Sequence, residues 1–307
     1  MLTRETTKTA APFLLVGAGA ALLALLPWLA TGMRLPLQNL WAASTMPDDM
    51  PLVLLPFSQY ALGFIVSVII TGSAIAGGIV RLLGSRVPRF GLAAALVGTL
   101  LVQVIALVQT AATVIGGLSR GGAATVYLVA LVGGTLAAIL LGVLVLLLIA
   151  RAPAPGVAIA LSIVAVAVGA SMSGAVLPFG LVVFEAHDLA RAAVQWIPAI
   201  GVGVAIAWSG FATVGRAVAA AGSLLLLWLG AAAFTAINAA AGTRVLAAYP
   251  AEMVEYAGQV FAAVLGSPRE SVVQVAIAVV AMLVALVVFR VIRSRRSAEA
   301  PADAAGA

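Results

Sequence analysis

Eight stretches of this 307-residue chain are apolar for long enough to cross a lipid bilayer, and they constrain the fold more than any other feature. They cover residues 12–31, 61–80, 90–115, 123–150, 157–183, 197–214, 217–239 and 272–291. Apart from Arg290 at the last edge, none of them contains Asp, Glu, Lys, Arg or His. A hydrocarbon core of about 30 Å needs about 20 apolar helical residues per crossing. Barrel strands would be short and would alternate in polarity, whereas a helix pairs all its amides within its own segment. The expected fold is therefore all-α, a polytopic bundle of about eight transmembrane helices. Composition points the same way. Hydrophobic residues make up 64% of the chain and charged residues 8%, against about 25% charge in a soluble domain.

This map divides the chain into a short N-terminus (1–11), an eight-helix domain (12–291) and a polar tail (292–307) expected to be disordered. Outer loops are expected at 32–60, 184–196 and 240–271. Arg4 and Lys8 precede the first span as in a signal peptide, but the apolar run is too long and no small-residue cleavage site follows, so it is expected to stay. The weakest boundary lies between the sixth and seventh spans, where only Gly215 and Arg216 interrupt the apolar run.

Orientation follows from the basic residues, fifteen Arg and one Lys. With the N-terminus inside, eleven fall on the cytoplasmic side: Arg4, Lys8, those in 81–89, Arg151, Arg216 and those in 290–296. Five fall outside: Arg34, Arg120, Arg191, Arg244 and Arg269. Seven of the ten acids lie on the outer side. Both termini are thus expected in the cytoplasm, with the chain multi-pass in a bacterial plasma (inner) membrane; the Arg, Ala and Gly usage suggests a GC-rich bacterial source. Anionic lipid headgroups account for the basic balance, so no nucleic-acid partner is expected. The bilayer is the expected partner, with other membrane subunits or further copies of the chain as additional ones.

The composition also excludes chemistries. There is no Cys, which removes disulfides, thiolate catalysis and cysteine metal sites. The one His, His187, rules out a multi-histidine centre. No nucleotide-binding motif is present, and no cofactor or metal is expected. Glu185, His187 and Asp188 in "FEAHDLARAAVQW" would point in different directions on a helix and read as a solvated face.

Within the spans, small residues recur four apart, as at Gly72 and Ala76, at Gly134, Ala138 and Gly142, at Ala165, Gly169 and Ser173, and at Gly201, Ala205 and Ser209. Such rows let helices approach closely in lipid. Few amides interrupt the apolar runs: Gln103, Gln109, Asn238 and Gln274. The first three are the candidate substrate-binding residues. Without ionisable residues in the spans, proton-coupled antiport is disfavoured. Binding through amides, hydroxyls and carbonyls fits better. Residues 69–81 ("IITGSAIAGGIVR") and 206–216 ("IAWSGFATVGR") are loosely alike, which would suit two parallel four-helix halves.

Two outer segments stand out. Residues 251–265 should form an amphipathic helix, with Met253, Ala257, Val260, Phe261 and Val264 on one face and Glu252, Glu255 and Gln259 on another. Asp48 and Asp49 sit between Pro47 and Pro51, where Thr45 and Asp48 also satisfy a short capping pattern. "LVLLPFSQY" after them is expected to dip back toward the membrane interface. A carboxylate pair at a membrane surface can bind a divalent cation or act as a base. The pair in the first outer loop resembles the acidic motif of polyprenyl-phosphate-sugar glycosyltransferases. The resemblance covers Asp48 and Asp49 only, and those enzymes are usually longer, with larger outer domains.

The leading expectation is a transporter or permease for a small or amphiphilic solute, leaning away from an enzyme. The alternatives are a membrane-embedded transferase that uses Asp48 and Asp49 on a lipid-linked substrate, and a non-catalytic subunit of a membrane complex.

Overall fold

The computed structural model describes residues 4–38, 40–175, 195–243 and 249–299; it is all-helical, and none of the described residues forms a strand. The helices are α1 (Arg4–Ala30), α2 (Leu62–Leu83), α3 (Gly91–Gly117), α4 (Gly122–Arg151), α5 (Ala154–Ala175), α6 (Ile197–Ser209), α7 (Val214–Gly242), α8 (Pro250–Gly266) and α9 (Pro268–Glu299). Six carry a stretch long and apolar enough to cross a membrane: Ala10–Ala30, Leu62–Arg86, Gly91–Gly117, Gly122–Arg151, Val214–Gly242 and Val272–Ile292. They fit a multi-pass membrane protein. Two shorter apolar helices, Ala154–Gly169 and Ile197–Ser209, stand where the fifth and sixth spans were expected. The loop expected at 184–196, with Glu185, His187 and Asp188, lies almost wholly outside the described residues.

The packing follows from small residues. A Cβ at Gly17 would collide with the carbonyl of Ala95, and one at Gly98 with that of Leu14, so α1 and α3 touch backbone to backbone. Gly72 rests on Ala21 between α2 and α1, Gly142 on Ser73 between α4 and α2, and Gly201 on Ala165 between α6 and α5. These belong to the expected small-residue rows, which here mark helix contacts. The helix pairs α1–α2, α1–α3 and α2–α4 recur in the second half as α5–α6, α5–α7 and α6–α9, and α2 packs on α5 to join the halves.

At the end of the bundle opposite the 33–60 loop, Arg81 closes that junction. Its guanidinium donates to the carbonyls of Ile149 and Ala152, both at 2.9 Å, and lies 5.7 Å from the Trp208 ring centre. One cation thus satisfies the end of α4 and stacks on α6.

Three boundaries differ from expectation. The sixth span ends at Gly210, whose φ of +70° suits glycine, and not at Gly215 and Arg216. Thr213 then caps α7, accepting from the Arg216 N–H at 3.4 Å, so that helix begins at Val214. The tail expected to be disordered from 292 stays helical to Glu299. Arg, Ala and Glu are strong helix formers, and cations near a helix C-terminus offset its dipole. The capping expected between Thr45 and Asp48 is absent. Met46 is the cap residue of a 3-10 turn at Pro47–Asp49, and the Thr45 hydroxyl instead reaches the Ala43 carbonyl at 3.4 Å. The amphipathic helix is present as α8, packed on α7, with the expected apolar face half-buried and Glu252, Glu255 and Gln259 exposed.

Candidate functional site

Residues 33–60 are too rich in proline to form a helix, yet too apolar to stay in water. Pro36, Pro47, Pro51 and Pro56 break every turn, while Leu35, Met50, Val53, Leu55 and Phe57 are at most 2% exposed. The segment becomes a strap folded over the ends of α1, α3 and α4. Burying an irregular backbone leaves amides that need partners. The helices supply them. Leu54 N–H donates to Gln109 Oε1 at 2.9 Å, and Leu55 N–H to Thr110 Oγ1 at 3.0 Å. Gln109 Nε2 donates to the Leu52 carbonyl at 3.0 Å, and Trp28 Nε1 to that of Val53 at 2.9 Å.

A second set holds the strap's ends. Gln38 Nε2 donates to the carbonyls of Pro36 and Phe57 at 2.6 and 2.7 Å, while its Oε1 accepts from the Tyr127 hydroxyl at 2.6 Å. Arg34 donates to the Met50 carbonyl at 2.8 Å. Short bridges pair Arg34 with Leu52 and Trp41 with Leu118. The expected dip of "LVLLPFSQY" is therefore a docked plug. Its Leu55 side chain closes a small cavity lower in the bundle.

That cavity measures about 10 Å³ and is walled by Ala21, Leu25, Leu55, Val68, Ile69, Gln103 and Ala106. Gln103 is the one polar side chain in the wall and is 5% exposed. Its Nε2 donates to the Ile69 carbonyl at 3.0 Å and to Ser73 Oγ at 3.2 Å, which uses both hydrogens. Its Oε1 is buried without a partner. Buried polar atoms are rarely left so, because the unmet bond costs about 1–3 kcal/mol.

The candidate residues thus fall in different surroundings. Gln103 faces a cavity between α1, α2 and α3. Gln109, six residues on, is committed to the strap. Asn238 lies half-buried in the last part of α7 and makes no side-chain hydrogen bond among the described residues. Asp48 and Asp49 lie on the exposed tip of the strap. Among the described residues no three of His, Cys, Asp or Glu gather as a metal would require. Thr110, Trp28 and Gln38 were not anticipated from sequence. The available signal was an apolar run broken by prolines, whose amides had to be paired by something.

Comparison with known proteins gives no matching family model, no matching characterised protein and no matching solved structure.

Proposed function

We propose that this chain is a permease-type membrane protein for a small uncharged solute, with Gln103 as the polar contact on the solute's route. The observation that carries the reading is Gln103, a buried amide whose Oε1 has no partner and whose side chain lines a small cavity among α1, α2 and α3. A carrier without ionisable groups in its spans must recognise its solute through such amides and hydroxyls. The strap lies above the cavity, with Leu55 in the wall between the site and the strap's outer surface. Asn238 is a second contact, on the other half. The basic-residue bias supports an orientation with both termini in the cytoplasm and the strap outside, and the Arg, Ala and Gly usage supports a bacterial plasma membrane.

The exposed position of Asp48 and Asp49 favours a solvated turn over a transferase base, since a base must lie within hydrogen-bond reach of a held substrate. Purified protein in liposomes tests the reading, with urea, glycerol and ammonia as probes. Wild-type protein should raise the entry of at least one probe well above that of empty liposomes, and Gln103→Leu should remove at least nine-tenths of the increase. Entry equal to that of empty liposomes for all three contradicts the proposal.

A further inference from the structure

We infer that the end of the bundle opposite the strap carries a binding site for the phosphate of an anionic phospholipid, where α2, α4 and α7 bring Arg81, Arg151 and Arg216 to one corner beside Trp208. The inference does not depend on the permease reading. Arg81, near the end of α2, donates to the carbonyls of Ile149 and Ala152, on either side of Arg151 in the chain. Ala152 abuts Gly156 at the start of α5, and Pro155 lies 3.9 Å from where a Cβ on Gly215 would stand. Arg216 is the next residue of α7. Trp208, at the end of α6, holds its ring 5.7 Å from the Arg81 guanidinium.

The charge at this corner is unbalanced. No Asp or Glu occurs between residues 50 and 184 or between 189 and 251, so α2 to α7 contain none. The flanking segments carry no surplus of acid. Glu5 sits with Arg4 and Lys8, and Glu299 and Asp303 follow Arg290, Arg293, Arg295 and Arg296. Arg81 is half-buried, where an unpaired cation is costly. Both of its carbonyl bonds use Nη1, and its Nε and Nη2 donate to nothing among the described residues. Guanidinium groups suit phosphate oxygens, which they bind through paired N–H bonds.

A lipid fits this corner better than a free anion because the corner is apolar as well as basic. Leu82 follows Arg81, Phe211 and Val214 precede Arg216, and all three are exposed. An acyl chain covers such side chains, whereas a free phosphate leaves them in water. Arg151 ends one membrane-crossing stretch and Val214 begins another, which sets the cations at headgroup depth. Trp208 is exposed there as interfacial aromatics are. Basic pockets between helices hold anionic headgroups in this way.

Native mass spectrometry of the detergent-purified protein, titrated with phosphatidylglycerol or phosphatidylcholine, tests the inference. Phosphatidylglycerol should bind at least about fivefold more tightly, the factor that one arginine near an anionic headgroup contributes. Arg151→Gln/Arg216→Gln should lower that affinity about tenfold or more, and Arg86→Gln/Arg89→Gln, which removes the same charge from the neighbouring turn, about threefold or less. Both pairs leave Arg81 and its bonds in place, and both should unfold at the wild-type temperature. Equal affinity for the two lipids overturns the inference. So does an equal loss in the two variant pairs, which would reduce the effect to diffuse attraction. Inorganic phosphate, titrated by calorimetry, should show no saturable binding. Saturable phosphate binding that Arg151→Gln/Arg216→Gln abolishes, without a preference between the lipids, assigns the corner to a soluble anion and overturns the lipid site.

Discussion

At the scale of single residues, helix contact and open space set opposite expectations for the same substitution. Gly98 abuts the Leu14 carbonyl, while a Cβ on Gly78 meets nothing within 4 Å. Gly→Ala in a helix gains about 0.5–1 kcal/mol where there is room. Overpacking a filled contact costs about 1–3 kcal/mol, and here the obstacle is backbone, which cannot rotate aside. Thermal unfolding in detergent should therefore show Gly78→Ala neutral or more stable and Gly98→Ala less stable by several degrees. Equal shifts would contradict the close approach of α1 and α3. The sequence showed small-residue rows but not their partners. Gly17 and Gly98, which meet backbone carbonyls of the neighbouring helix, lie outside the four rows singled out, because spacing within one helix does not reveal which helix it meets.

At the scale of elements, the strap is the part least legible beforehand. Hydropathy marked 32–60 as a loop and "LVLLPFSQY" as returning toward the membrane. It could not show that Gln109 and Thr110 would supply the missing backbone partners, since that depends on α3 ending beside residues 54 and 55. Gln109 therefore read as a candidate solute contact, although its amide bonds the strap at Leu52 and Leu54. Removing both latch groups in Gln109→Leu with Thr110→Val strands two buried N–H groups, each worth about 1–3 kcal/mol. The chain has no native Cys, so Leu55→Cys gives a clean reporter. A polar thiol reagent should modify Cys at 55 slowly in an otherwise wild-type background and at least tenfold faster with the latch removed. An unchanged rate would show that the Gln109 and Thr110 bonds do not hold the strap in place. Among the described residues, each expected span holds a helix, because a long apolar run in lipid must pair its own amides. Helix ends were less legible: the break at Gly210 turned on one positive φ, and the helical tail on propensities that a low-complexity reading undervalued.

At the scale of the whole molecule, the two halves share an order of helix pairing that the loose likeness of 69–81 and 206–216 does not explain. The first of those segments lies wholly within α2, whereas the second runs through the end of α6, the Gly210 break and the start of α7. The recurrence is one of packing, α1–α3 with α2–α4 and α5–α7 with α6–α9. Arg81 and the α2–α5 contact tie the halves together at the far end from the strap. In this frame the polar features separate cleanly. Asp48 and Asp49 decorate an exposed tip, and Gln103 is sealed inside the first half. The most direct test of the account compares Asp48→Asn/Asp49→Asn with Gln103→Leu in the same liposomes, with both proteins shown to be folded by their unfolding transitions. The asparagine pair keeps shape while removing charge and basicity, so it should retain most of the wild-type solute entry, whereas Gln103→Leu should lose at least nine-tenths of it. A folded asparagine pair with no activity, beside a fully active Gln103→Leu, would contradict the account and move the chemistry to the strap's tip.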